Sequence, residues 1–195
     1  GQLARGRYKR IDYLKEAVRR DPDKEAIVDP YRRVTYGELD SMVDRLALGL
    51  LELGVKPGDI VSFQLPNWYQ CVVIHYALTR IGAVSNPLIP IYRQREIRFM
   101  LQLCESEVMF IASQFRGFDY AEMMKELAPD LPSLKHIYVI GDNVPPGMKS
   151  FQELMETPWE RKRDVSTLDR IEMDYNAITE IIFTSGTTGE PKGVM

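Results

Sequence analysis

Apolar positions along this chain change period several times, and each change marks an element. Leu39, Met42, Val43, Leu46, Ala47, Leu50 and Leu51 recur at three- and four-residue spacing, which predicts an amphipathic helix. Thr35 and Glu38 stand three apart at its start and predict a capping box, hydroxyl and carboxylate each taking a free amide. Gly54 suits a left-handed stop. After the turn "KPGD", Ile60 to Leu65 reads as a buried strand ending at Pro66.

The pattern then repeats in kind. Asn67 is placed to cap a helix carrying Cys71, Val72, Ile74, Leu78 and Ile81, closed by Gly82. "AVSNPLIP" is a short extended piece broken by prolines, and Arg93 to Cys104 is helical with Ile97, Met100, Leu101 and Cys104 on one face. Val108 to Ala112 and His136 to Ile140 read as strands, Tyr120 to Ala128 and Phe151 to Met155 as helices. Ile178 to Thr184 is a last strand. Asp142 to Asn176 is less regular and is expected to cross the surface between two packed units, with Trp159 as an anchoring aromatic or an acyl-pocket wall. Ile- and Val-rich strands alternating with amphipathic helices predict an α/β fold, a doubly wound parallel sheet flanked by helices. Ligands of such sheets gather at the carboxyl ends of the strands.

Composition narrows the functional classes. A formal charge of -3 gives no reason to expect a nucleic-acid partner. Arg5, Arg7, Lys9, Arg10, Arg19 and Arg20 make the start basic, as a solvated face or an anion site. Cys71 and Cys104 sit in helical apolar patterns and are expected to be buried and reduced, which favours the cytoplasm. No apolar run approaches the roughly 18 residues needed to span a bilayer. His75 and His136 are expected to be structural, and two His with two Cys so spaced give neither a zinc site nor a nucleophilic triad. Arg93, Arg95 and Arg98 are expected to form surface pairs.

Chemistry concentrates in "IIFTSGTTGEPKGVM", Ile181 to Met195. Gly186 and Gly189 let backbone amides close on an anion as a nest; Thr184, Ser185, Thr187 and Thr188 add hydroxyl donors; Lys192 adds a mobile charge. The Walker spacing fails because no Gly precedes Lys192, and G-x-G-x-x-G fails as well. Gly193, Val194 and Met195 predict a return into extended strand. A cluster of small residues alone would equally suit a solvent-exposed turn.

The full string decides further. "TSGTTGEPKGV" resembles the phosphate loop of the adenylate-forming (AMP-binding) enzymes: acyl-CoA synthetases, peptide-synthetase adenylation domains and firefly luciferase. "VTYGELD", "GVKPGDIVSFQLPNWYQ" and "ALTRIGAVSNPLIP" are similar to earlier segments of that family, and "RIGAVSNPLIPIYRQREIRFML" and "FRGFDY" look most like its cyclohexanecarboxylate or medium-chain acyl-CoA ligases.

The resemblance implies ATP and a carboxylic acid as substrates, Mg2+ on the phosphates, and coenzyme A as thiol acceptor. It assigns Thr184, Ser185, Gly186, Thr187, Thr188, Gly189 and Lys192 to the phosphates, with Lys192 as the catalytic charge and Thr184 assisting at the metal. It makes residues 1–195 the N-terminal part of the large AMP-binding domain, without the rest of that domain or the mobile lid. An incomplete domain is expected to be inactive alone and to self-associate through exposed edges. Two alternatives stay open: an adenylation domain serving a carrier protein, and a non-catalytic phosphate-loop module.

Overall fold

The computed structural model describes residues 10–172, 174, 176–184 and 192–194, Lys192 by its backbone alone. In chain order the elements are α1 (Arg10–Arg20), β1 (Glu25–Val28), β2 (Arg33–Thr35), α2 (Tyr36–Glu52), β3 (Ile60–Gln64), α3 (Tyr69–Ile81), β4 (Val84–Leu88), α4 (Gln94–Cys104), β5 (Val108–Ala112), β6 (Gln114–Phe115), β7 (Phe118–Asp119), α5 (Tyr120–Leu127), β8 (His136–Ile140), β9 (Lys149–Ser150), α6 (Phe151–Glu156), α7 (Ser166–Asp169), β10 (Ile182–Thr184) and β11 (Lys192–Val194). Contacts divide the chain into two compact units, one of residues 1–58, 67–83 and 158–177, the other of 59–66, 84–157 and 178–195. The irregular stretch after Asp142 thus passes from the second unit into the first, as expected.

The first unit is mainly helical. Thr35 Oγ1 accepts the Glu38 amide and the Glu38 carboxylate accepts the Thr35 amide, so the capping box forms. Gly54, at φ 90°, takes the left-handed position and donates to the Leu51 carbonyl. Asn67 does not cap α3. The cap residue is Trp68, whose side chain does not bond the helix start, and the Tyr69 amide is met by Asp29 Oδ2 at 2.8 Å. Asp29 Oδ1 also accepts the amides of Tyr31 and Arg32, each at 2.8 Å. Burial opposes the charge on Asp29, yet these three amides outweigh it and hold the carboxyl below its ordinary value.

Arg80, 6% exposed, lies between α2, α3 and α7, where it meets Asp44 Oδ1 at 3.0 Å and pairs with Asp169. Lys15 of α1 binds Asp40 and the other oxygen of Asp44. Trp159 opens a short 3-10 turn and lies on α2: a Cβ at Gly49 would stand 2.8 Å from the indole nitrogen. Trp159 therefore anchors the returning chain to the helix. His75, half-buried on α3, is bonded at Nε2 to the Arg10 guanidinium.

The second unit holds a five-stranded parallel sheet in the order β4-β3-β5-β8-β9. Every residue of β5 is buried, as a central strand covered on both faces requires. Helix α5 packs on β5 and α6 on β8, with Phe110 stacked on Tyr138 at 5.5 Å and meeting Phe151 edge-on. β9 is an edge of two residues. Pro87 is tolerated inside β4 because that strand pairs within the sheet on one side only, with β3. Arg98 pairs with Asp130, and Arg93 covers the Phe118 ring at 3.9 Å, in line with surface roles.

Neither cysteine is in a disulfide; Cys104 is buried and Cys71 half-buried, and desolvation pushes each thiol up to about 11. Among the described residues no helix is long and apolar enough to cross a membrane.

Candidate functional site

The chain reaches the candidate site along the open side of β4. The Ser85 amide donates to the Thr179 carbonyl at 3.0 Å and the Ile181 amide to the Ser85 carbonyl at 2.9 Å, an isolated parallel bridge between Ser85 and Glu180. Of the strand expected over Ile178 to Thr184, only Ile182–Thr184 forms a continuous ladder, and its partner is β11. Counted from the bridge, Thr184 falls one residue past Leu88, at the carboxyl end of the sheet. Ile182 faces Val194, Phe183 faces Gly193, and Thr184 faces Lys192, antiparallel. The stem of a hairpin therefore brackets residues 185–191, and the predicted return into extended strand is met by β11.

Phe183, in the middle of this stem, is buried, and a Cβ at Gly193 would lie 3.6 Å from its ring. Ile182 and Val194 look outward, about half exposed. Ser185, Gly186, Thr187, Thr188, Gly189 and the Lys192 side chain lie outside the described residues, as do Arg5, Arg7 and Lys9. Thr184 is exposed at the mouth of the hairpin.

Reaching Ile181 just ahead of the stem is a set of polar residues that periodicity did not single out. Ser62 on β3, Asn86 on β4 and Ser106 ahead of β5 are each 0–1% exposed. Ser62 Oγ bonds Asn86 Oδ1 at 2.8 Å and Ser106 Oγ at 2.6 Å, and Asn86 Nδ2 donates to the Ile181 carbonyl at 2.9 Å. Nearby, buried Gln64 at the end of β3 donates to the carbonyls of Ile89 and Tyr92, each at 3.0 Å. Polar residues inside strands that are otherwise apolar were the available signal. Among the described residues, no group of three or more His, Cys, Asp or Glu is placed to hold a metal ion.

In open parallel α/β sheets ligands gather at the carboxyl ends of the strands, the end at which this hairpin stem stands. The chain belongs to the AMP-binding enzyme family, whose model matches residues 14–195. It is 34% identical over 185 residues to a medium-chain fatty-acid–CoA ligase of Escherichia coli (strain K12), covering 94% of this chain and 32% of that one. It is 39% identical over 137 residues to a salicyl-AMP ligase / salicyl-S-ArCP synthetase of Mycobacterium tuberculosis (strain ATCC 25618 / H37Rv), 68% of this chain and 24% of the other. The fold matches that of the anthranilate CoA ligase AuaEII in complex with anthranoyl-AMP at a TM-score of 0.80 and 22% identity, over 96% of this chain and 34% of that one. The chain thus spans about a third or less of the length of these proteins.

Proposed function

We propose that residues 1–195 are the N-terminal part of an AMP-binding domain and supply the triphosphate loop of an ATP-dependent carboxylate–thiol ligase. The observation that carries this reading is the string from Thr184 to Lys192, set on a hairpin stem at the carboxyl end of a parallel sheet, in a chain matched to the family from residue 14 onward. In the first step a carboxylate oxygen attacks the α-phosphorus of ATP; the bond to the bridging oxygen breaks and pyrophosphate leaves. No general base is needed, because the attacking carboxylate is already ionised. In the second step a thiolate attacks the acyl carbon and AMP departs with the carboxylate oxygen.

Ser185, Thr187, Thr188 and the amides about Gly186 and Gly189 are assigned to the β- and γ-phosphates. Lys192 opposes the charge that builds on the leaving pyrophosphate, the term electrostatic catalysis rests on. Mg2+ supplies further neutralisation when bound. It would be held largely by the substrate phosphates, with few protein ligands, Thr184 being the residue assigned beside it. Relatives named for CoA and for a carrier-protein acceptor support adenylation as the shared step, with coenzyme A the acceptor we favour. Two cysteines outside any disulfide support a reducing cytoplasm.

Calorimetric titration with MgATP tests the reading. The chain is expected to bind, and Lys192→Ala to lose about ten- to a hundredfold in affinity, as for hydrogen bonds to charged groups. Absence of binding by the unsubstituted chain would refute it. With a panel of carboxylates and a thiol, no steady pyrophosphate release is expected from this chain alone; robust turnover would overturn that part. Binding that no carboxylate or thiol converts into turnover, even when the remaining two thirds or so of the length typical of the relatives is supplied, would instead favour a non-catalytic module.

A further inference from the structure

The parallel bridge beside β4 has a missing rung. Parallel pairing sends the amide of residue 85 to the carbonyl of 179 and returns the amide of 181 to the carbonyl of 85, both of which form. The next rung would send the amide of residue 87 to the carbonyl of Ile181, and residue 87 is proline, which has no N–H. That carbonyl instead receives Nδ2 of Asn86, one residue earlier on the same strand. A side chain stands in for the absent ladder donor, immediately before the hairpin whose first pair is Ile182 with Val194.

The carboxamide's orientation is itself determined. Because Nδ2 donates to Ile181, Oδ1 must accept, so Ser62 donates to it; Ser62 having spent its proton, Ser106 donates to Ser62. The three hydroxyl and amide groups form one directed relay across β5's neighbour β3 to β4, fully out of water. Apolar residues of similar size would fill this layer without polar desolvation. What the relay provides beyond packing is the aim of one N–H at one carbonyl.

We propose that Asn86 is a positioning residue for triphosphate binding: oriented by Ser62 and Ser106, it fixes the Ile181 carbonyl and through it the stem that presents the phosphate loop. The proposal rests on the triphosphate reading of that loop. The test uses the whole chain with MgATP, in the unsubstituted form and as Asn86→Leu, Asn86→Asp and Ser62→Ala, titrated between about pH 5 and pH 8. Hydrogen exchange of peptides covering the stem and of α2 is followed beside it.

Asn86→Leu is expected to weaken binding about tenfold at every pH and to speed exchange in the stem while α2 is unchanged. Asn86→Asp, as a carboxylate, has no proton to donate; it is expected to bind as weakly near pH 8 and to recover, relative to the unsubstituted chain, as acid restores a donor. Equal loss in both variants at every pH, matching a lowered melting temperature, would reduce Asn86 to a packing role and overturn the proposal, as would unchanged affinity. Ser62→Ala keeps the carboxamide and carries the test if the Asn86 variants do not fold: a several-fold loss supports the relay, none overturns it. If the unsubstituted chain binds no MgATP, the triphosphate reading has failed and exchange alone judges Asn86: faster stem exchange in Asn86→Leu supports positioning of the hairpin, unchanged exchange refutes it.

Discussion

Asp29 shows how much one side chain does when its acceptors are shared among distant donors. It takes amides from its own turn at Tyr31 and Arg32 and from the start of α3, forty residues on. Asp29→Ala is expected to cost about 1–2 kcal/mol in urea unfolding near neutral pH, the scale of losing a helix cap. The sign with pH follows from the lowered carboxyl: the folded state releases this proton more readily, so the stabilisation is present above the ordinary value of 3.8 and is lost as pH falls through the lower folded value. The difference between Asp29→Ala and the unsubstituted chain should therefore shrink in acid. The same residue explains a misread cap. Asn67 has the right chemistry one position early, but a cap supplied across the fold leaves no trace in local sequence.

At the scale of elements, the helix α2 and its guest Trp159 make a sharper case. A methyl at Gly49 would sit 2.8 Å from the indole nitrogen, so Gly49→Ala is expected to destabilise although alanine is the better helix former by about 1 kcal/mol. In a Trp159→Ala background that clash is gone and the same substitution should stabilise. Chemical unfolding of the four chains reads the reversal; additive effects would show that the indole does not rest there. Elements written in a local code were legible: β5 and β8 fall where their apolar runs place them, and the capping box of α2 where its two residues stand. The last strand was read too long, because Ile178 to Ile181 spends its bonds on one isolated bridge rather than a ladder. The phosphate-loop string was legible as chemistry, whereas the Ser62–Asn86–Ser106 relay was not, since single polar residues in apolar strands carry no sign of facing one another.

Across the molecule, each unit has its own point of failure. In the helical unit that point is Arg80, whose guanidinium links α3 to Asp44 of α2 and Asp169 of α7. Arg80→Ala removes one of the two cations that hold the largely buried Asp44, leaving Lys15 on its other oxygen, and is expected to cost about 1.5–3 kcal/mol, read as a lowered unfolding midpoint. In the sheet unit, the outward faces of Ile182 and Val194 offer apolar surface beside the hairpin. Concentration-dependent association in light scattering is expected from them, and a monodisperse monomer at high concentration would contradict it. The form such association takes is limited by the far side of the sheet. β9 ends it with two residues, one of them a lysine, and offers an incoming chain almost no row of free amides and carbonyls. Clusters of this protein should accordingly dissolve on dilution and leave amyloid dyes dark.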